Sequence, residues 1–343
     1  GNCNTFIGAY AGKCSDTTGE MNVFLGTDAG RCVSSDAGCN IFAGLQAGCV
    51  TTGNHNVMMG TESGLKNTSG NNNVFIGRKA GYENTNCSES VFIGTYSGRC
   101  NDGQFNIAIG SVAGRGSSTA SNNTGGCNVF LGKYAGQRFT SGSSNVTLGR
   151  EAGQCLTTGS NNILLGACIW GDSGGITGSN NNTMGFKAGY SLSSGSYNVL
   201  FGKDAGKAIN TGGCNILLGS QAGESLTDNT HNFMGGYRAG ANATSGSTNN
   251  IFIGKLAAGN GAVTGSNNIA LGQNSGCRLT SGTQNVYLGC DSGLNNCTGC
   301  RNVYIGDKAG RGSGNGAKNN VVLGYQAGCS VTTGESNVII GQE

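Results

Sequence analysis

Proline is absent from the 343 residues, tryptophan occurs once, histidine twice, and charged residues make up only 11%. Each shortage excludes something. Without proline, and without glycine at every third position, the chain is not collagen-like. A net charge of +3 with no basic block gives a nucleic acid or an anionic membrane nothing to hold. No apolar run approaches the roughly 18 residues of a membrane helix, so no membrane insertion is expected. The start carries neither an initiator Met nor a signal-like stretch, and reads as a processed chain or an excerpt. Two histidines leave little for general-base or metal chemistry, and no cofactor is expected.

What is abundant is glycine, 66 residues, together with 16 cysteines. The apolar content of 36% is too regularly placed for a disordered linker. The pattern is a repeat: "NVFLGTDAG" (22–30), "NVFIGRKAG" (73–81), "NVFLGKYAG" (128–136), "NVYIGDKAG" (302–310). Each unit is Asn, three apolar residues, Gly, two variable residues and Ala-Gly, followed by a polar loop. The first glycine recurs from Gly8 to Gly341 in twenty copies, 16 to 22 residues apart. A unit that short predicts one coil of a parallel β-solenoid, with two short strands per coil. The fold expected is therefore all-β, a single tandem-repeat domain over 1–343 with no separate cap or anchor. Absence of proline suits such a stack, because every backbone N–H has a coil to bond. Twenty coils at roughly 4.8 Å predict a rod of about 95 Å.

The asparagine before the triplet occupies Asn4, Asn22, Asn40, Asn56, Asn73, Asn106, Asn128, Asn145, Asn162, Asn181, Asn198, Asn215, Asn232, Asn250, Asn268, Asn285, Asn302, Asn320 and Asn337, with Ser90 in the remaining copy. Stacked amides predict a hydrogen-bonded ladder. The alternative is that each Asn tolerates a left-handed turn.

Both faces of the triplet are greasy. Its first and third residues share one face, such as Val23 and Leu25, and the middle residue takes the other. The middle positions include Phe6, Phe24, Phe42, Phe75, Phe92, Phe130, Leu164, Phe252, Tyr287 and Tyr304. One face fills the coil. The other, assigned here to these middle residues, is expected to be an apolar stripe too long for a monomer. Neighbouring copies of the chain would cover it, most simply as a parallel bundle around a shared axis.

Units of the form N-x-φ-x-φ-G, seen in cores such as 73–77 and 285–289, resemble the head repeats of trimeric autotransporter adhesins and related repeats of bacteriophage tail fibres. That resemblance implies a parallel β-roll and three chains wrapped together. It departs from the family in its longer period, its many cysteines and its lack of a coiled-coil stalk or anchor barrel. The pattern runs to both ends without polar capping units, which predicts more chain or head-to-tail stacking into a polymer.

Sixteen cysteines point to an oxidising, extracellular compartment. Cys14 and Cys32 occupy equivalent corners of successive coils and are one disulfide reading; Cys32 with Cys39 is the competitor. Cys297 and Cys300 show C-x-x-C spacing, with no second such pair to complete a zinc site. Sequons at Asn67, Asn86, Asn122, Asn242 and Asn296 permit glycosylation.

One stretch suggests chemistry. "GDSGG" (171–175) matches the surroundings of a serine nucleophile. In register, however, Ser173 is a loop residue, and the only histidines, His55 and His231, lie coils away. No phosphate loop, zinc-protease motif or calcium nonapeptide occurs. No enzyme is expected. The expectation is a structural subunit of an extracellular fibre or filament shaft. The alternatives are an adhesive or receptor-binding fibre acting through its loops, and an ice-binding solenoid suggested by Thr51-Thr52, Thr157-Thr158 and Thr332-Thr333.

Overall fold

A computed structural model describes residues 3–14, 19–34, 36–117, 123–170, 174–312 and 314–342. The chain is all-β and parallel, and divides into two compact units, Gly1–Thr177 and Gly178–Glu343. Among the described residues, unit 1 holds ten three-residue strands, from β1 (Thr5–Ile7) to β10 (Ile163–Leu165), and unit 2 holds ten more, from β11 (Asn182–Met184) to β20 (Val338–Ile340). Within each unit every strand pairs in parallel with the next, and equivalent residues meet: Phe24 with Phe42, Phe75 with Phe92, Tyr287 with Tyr304. This is a β-solenoid.

Each coil has one regular strand, not the two expected. Among the described residues, only isolated bridges form outside these strands, such as Leu156 with Ile176 and Lys318 with Glu335. The reason lies in the second half of the repeat. Gly-x-x-Ala-Gly turns throughout, leaving too few extended residues for a second strand. The residue before Ala sits at positive φ, as in Asp28 (55°), Lys79 (55°) and Tyr134 (62°). These are ordinary L-residues in a conformation that normally costs about 1 kcal/mol or more each. Here their N–H groups bond neighbouring coils, for example Asp28 to the carbonyl of Ala9 at 2.9 Å.

The corner glycine cannot be replaced without strain. Gly26 has φ +133°, and a Cβ there would lie 2.6 Å from the Gly44 carbonyl oxygen of the next coil. The second glycine of the unit faces inward: a Cβ on Gly30 would meet the Phe24 ring at 2.6 Å.

The core runs up the inside of each unit. From β2 (Val23–Leu25) to β19 (Val321–Leu323) the middle strand residue is buried, as are the alanines of Ala-Gly. Loop residues such as Phe139, Leu156, Leu192 and Leu279 close the interior. Stacking repeats identical rings: Phe24 and Phe42 lie 5.0 Å apart and 2° from parallel, and Phe75 and Phe92 5.0 Å apart at 6°.

This reverses the expected assignment of the two faces. Phe24, Phe42, Phe75, Phe92, Phe130, Leu164, Phe252, Tyr287 and Tyr304 are fully buried inside their own chain and form no inter-chain stripe. Phe6 also points inward, stacked 4.7 Å from Phe24, and is 37% exposed only because it lies in the first described coil. The flanking residues face out. The physical reason is the shape of the closed coil. The Ala and Gly of the turn close directly over the middle position, as Gly30 does over the Phe24 ring. That position is therefore the one strand side chain the interior takes, joined in some coils by a loop residue such as Phe139, 5.2 Å from Phe130.

Candidate functional site

Two repeated features are candidates for function: the asparagine ladder and the outward strand face. In the ladder, the Oδ1 of one asparagine accepts the backbone N–H of the next. Asn22 receives Asn40 at 3.0 Å, Asn40 receives Asn56 at 2.9 Å, and Asn128 receives Asn145 at 2.9 Å. In unit 2, Asn181 receives Asn198 at 2.9 Å and Asn302 receives Asn320 at 3.1 Å. Each Nδ2 donates inside the coil stack, Asn145 to the Gly159 carbonyl at 2.9 Å and also to Asn128 Oδ1 at 2.9 Å. Ser90 keeps the chain of bonds intact. Its N–H donates to Asn73 Oδ1 at 3.0 Å and its Oγ accepts the N–H of Asn106 at 3.0 Å. The left-handed residue is the one before the Asn: Cys39 (φ 59°), His55 (58°), Asn72 (57°), Cys127 (59°).

The outward face carries the first and third strand residues. Leu25, Ile41, Met59, Ile107, Ile109, Val146, Leu148 and Ile163 in unit 1 are 37–48% exposed. In unit 2 Phe201, Ile216, Leu218, Ile251, Ile253 and Ile305 are 36–41% exposed. Across all twenty strands these forty positions hold no charged residue, and only Thr5 and Asn182 are polar. Sequence reasoning found the two greasy faces; it placed the wrong one outside.

All sixteen cysteines are free thiols in this structure, so neither Cys14–Cys32 nor Cys32–Cys39 is bridged. Cys14 and Cys32 are nevertheless neighbours: burial and a hydrogen bond with the Cys14 thiol push the Cys32 thiol up. Cys39 lies in the left-handed slot, where its N–H bonds the Glu20 carbonyl at 2.9 Å. The Cys297 and Cys300 thiols face backbone carbonyls, Asn295 at 3.4 Å and Thr298 at 3.6 Å. Among the described residues, no group of three His, Cys, Asp or Glu side chains is placed to hold a metal. Nor is any helix long and apolar enough to cross a membrane. Burial pushes the Cys87 thiol up to about 12, and that of Cys100, near Glu83, to about 11.

Two sequons are interior. Asn67 and Asn296 are fully buried, Asn67 donating to the Gly70 carbonyl at 3.3 Å and Asn296 accepting the Gly299 N–H at 2.8 Å. A glycan fits at neither, because each side chain turns inward to close its own loop. Asn86 is exposed and Asn242 half-buried; Asn122 lies outside the described residues. So does Ser173 of GDSGG. His55 and His231 both occupy the left-handed slot before a ladder Asn. Trp170 stands where other coils have the second glycine, at φ 55°, and is fully buried.

No family model matches the chain, and neither a curated protein nor a solved structure matches it.

Proposed function

We propose that this protein is a structural subunit, a length of extracellular fibre or filament shaft. The observation that carries the reading is the repetition itself. Coil after coil spends its polar groups on the next coil. The asparagine amides, the strand N–H groups and many loop hydroxyls all bond along the stack. Thr68 Oγ1 donates to the Thr85 carbonyl at 3.0 Å, Thr157 to Ile176 at 3.0 Å and Thr280 to Cys297 at 2.9 Å. Such a device builds length and stiffness.

The similarity to adhesin-head and tail-fibre repeats belongs to the same reading, as does self-association into a trimer or other bundle and head-to-tail polymerisation. An adhesive role through the loops is the second reading. Of the threonines that suggested ice binding, Thr51 is fully buried and Thr157 turns its hydroxyl along the stack to the Ile176 carbonyl at 3.0 Å, which disfavours that reading. An oxidising location would join the Cys14 and Cys32 thiols, each losing its hydrogen to an oxidant such as oxygen or a small disulfide. Electron microscopy and fibre diffraction of the purified protein test the main reading. Elongated particles with an axial spacing near 4.8 Å are expected; compact particles lacking that spacing would refute it.

A further inference from the structure

We propose that the outward strand face is a docking seam for a second copy of this chain, the two copies running parallel with equal coils level. The inference rests on the shaft reading and adds to it the face, the direction and the register.

The face is too apolar to be left in water. By transfer bookkeeping, a fully exposed Val, Ile or Leu presents about 60–120 Å² of buriable surface. With roughly a third of that uncovered at each of twenty positions per unit, one unit offers on the order of 600 Å². That reaches the largest patch soluble monomers normally expose and approaches the roughly 800 Å² per partner of a stable interface. The pattern selects the occupant. Stiff Val and Ile side chains recur at one step per coil, so a second copy, having the same step, meshes at every coil. A partner lacking that period meshes at one or two.

Charge selects the direction. Two rows of residues edge the face. One row follows each corner glycine and carries Arg78, Lys133, Arg150, Lys203, Lys255 and a single acid, Asp307. The other precedes each ladder asparagine and has only two formal charges, Glu89 and Arg301. The lone acid of the first row and the lone base of the second therefore flank the same strand, Val303–Ile305, on opposite sides, and both are exposed. Glu89 stands one coil from Arg78 in the same sense, again with both exposed. Parallel copies related by rotation about the stacking direction bring unlike rows together. Arg301 then meets Asp307 of the other copy at its own level, and Glu89 comes within one step of Arg78. Antiparallel copies related about the strand direction lay the basic row on itself.

The test is sedimentation equilibrium of the chain and three sets of variants, with circular dichroism confirming the fold of each. The wild type is expected to self-associate. I109K/L148K, on the outward face only, is expected to weaken association about 100-fold while keeping its thermal midpoint. R301E and D307R are each expected to weaken it about fivefold, as for an exposed ion pair, and the double variant R301E/D307R to recover most of that loss. A wild type that stays single-chained at 100 µM overturns the seam, as does association that survives I109K/L148K. Losses that add in the double variant overturn the parallel register. Capture of single chains by phosphatidylcholine vesicles would assign the face to a lipid surface and also overturn the proposal. Failure here is distinct from failure of the shaft reading: elongated particles one chain wide would remove the seam and leave the shaft.

Discussion

The corner glycine is the residue on which each coil turns. Gly60 has φ +129°, and a Cβ there would lie 2.7 Å from the Gly77 carbonyl oxygen. Gly60→Ala therefore combines backbone strain with a clash against unyielding main chain. A loss of about 2–4 kcal/mol is expected in urea unfolding. Asn145→Ala removes two donated bonds and leaves the buried Asn162 N–H, 3.0 Å from Asn145 Oδ1, without its acceptor. The expected cost is about 2–3 kcal/mol. At Tyr287 the sign reverses. Its hydroxyl is fully buried with no hydrogen-bond partner, and burial raises its ionisation well above the ordinary range. Tyr287→Phe should raise stability by about 1 kcal/mol, read as a higher urea midpoint at unchanged slope. The Cys87 thiol is raised by burial from its ordinary 9.0 to about 12. The protonated form is the one the fold favours, so its contribution is complete below pH 9 and fades as pH climbs toward 12. Cys87→Ala should flatten the fall in stability over that window relative to wild type.

At the scale of the coil, the decisive matter is which strand face turns in. Phe130 is fully buried, whereas Leu148 in the next coil is 48% exposed. Phe130→Ala should cost about 3–5 kcal/mol by leaving a cavity. Leu148→Ser should change the stability of the single chain by less than about 1 kcal/mol. Equal costs at the two sites would contradict the facing described above. The strand itself was plain from the sequence: Val-Phe-Leu or Val-Tyr-Ile between Asn and Gly fits only an extended triplet. Its facing was not, because both faces are apolar and period-two alternation gives no preferred side. The interior's narrowness, set by Ala29 and Gly30 across from Phe24, resolved it. The single-stranded coil was equally hidden. It depends on residues such as Asp28, Lys79 and Tyr134 adopting positive φ, which nothing in their identity announces.

At the scale of the whole chain, each unit is a run of nearest-neighbour contacts, in which every coil's stability is borrowed from the coils on either side. A lesion should therefore spread with distance along the stack. Gly219→Ala, whose Cβ would meet the Gly236 backbone, should lower hydrogen-exchange protection most in the strand Ile216–Leu218 and its neighbours, and progressively less toward the far coils of unit 2. Uniform loss across that unit would instead indicate a single cooperative block.

The sequence by itself determined the repeat, its strand and its corner, since Asn, an apolar triplet and Gly at a fixed spacing admit only a stacked parallel coil. It also marked the ladder positions, including the exchange of Ser90 for Asn, but left open whether those side chains bond along the stack or ease a left-handed turn. The bonds from Ser90 N–H to Asn73 and from Asn106 N–H to Ser90 decide for the stack. Tertiary structure alone decided what faces water. Asn67 and Asn296 read as surface sequons and lie inside, Phe24 and Phe130 read as a seam and form the core, and Leu25 and Ile109 read as filling and line the outside. Inside and outside are set by how much volume the closed coil leaves between its two walls, a quantity that exists only once the chain has turned back on itself.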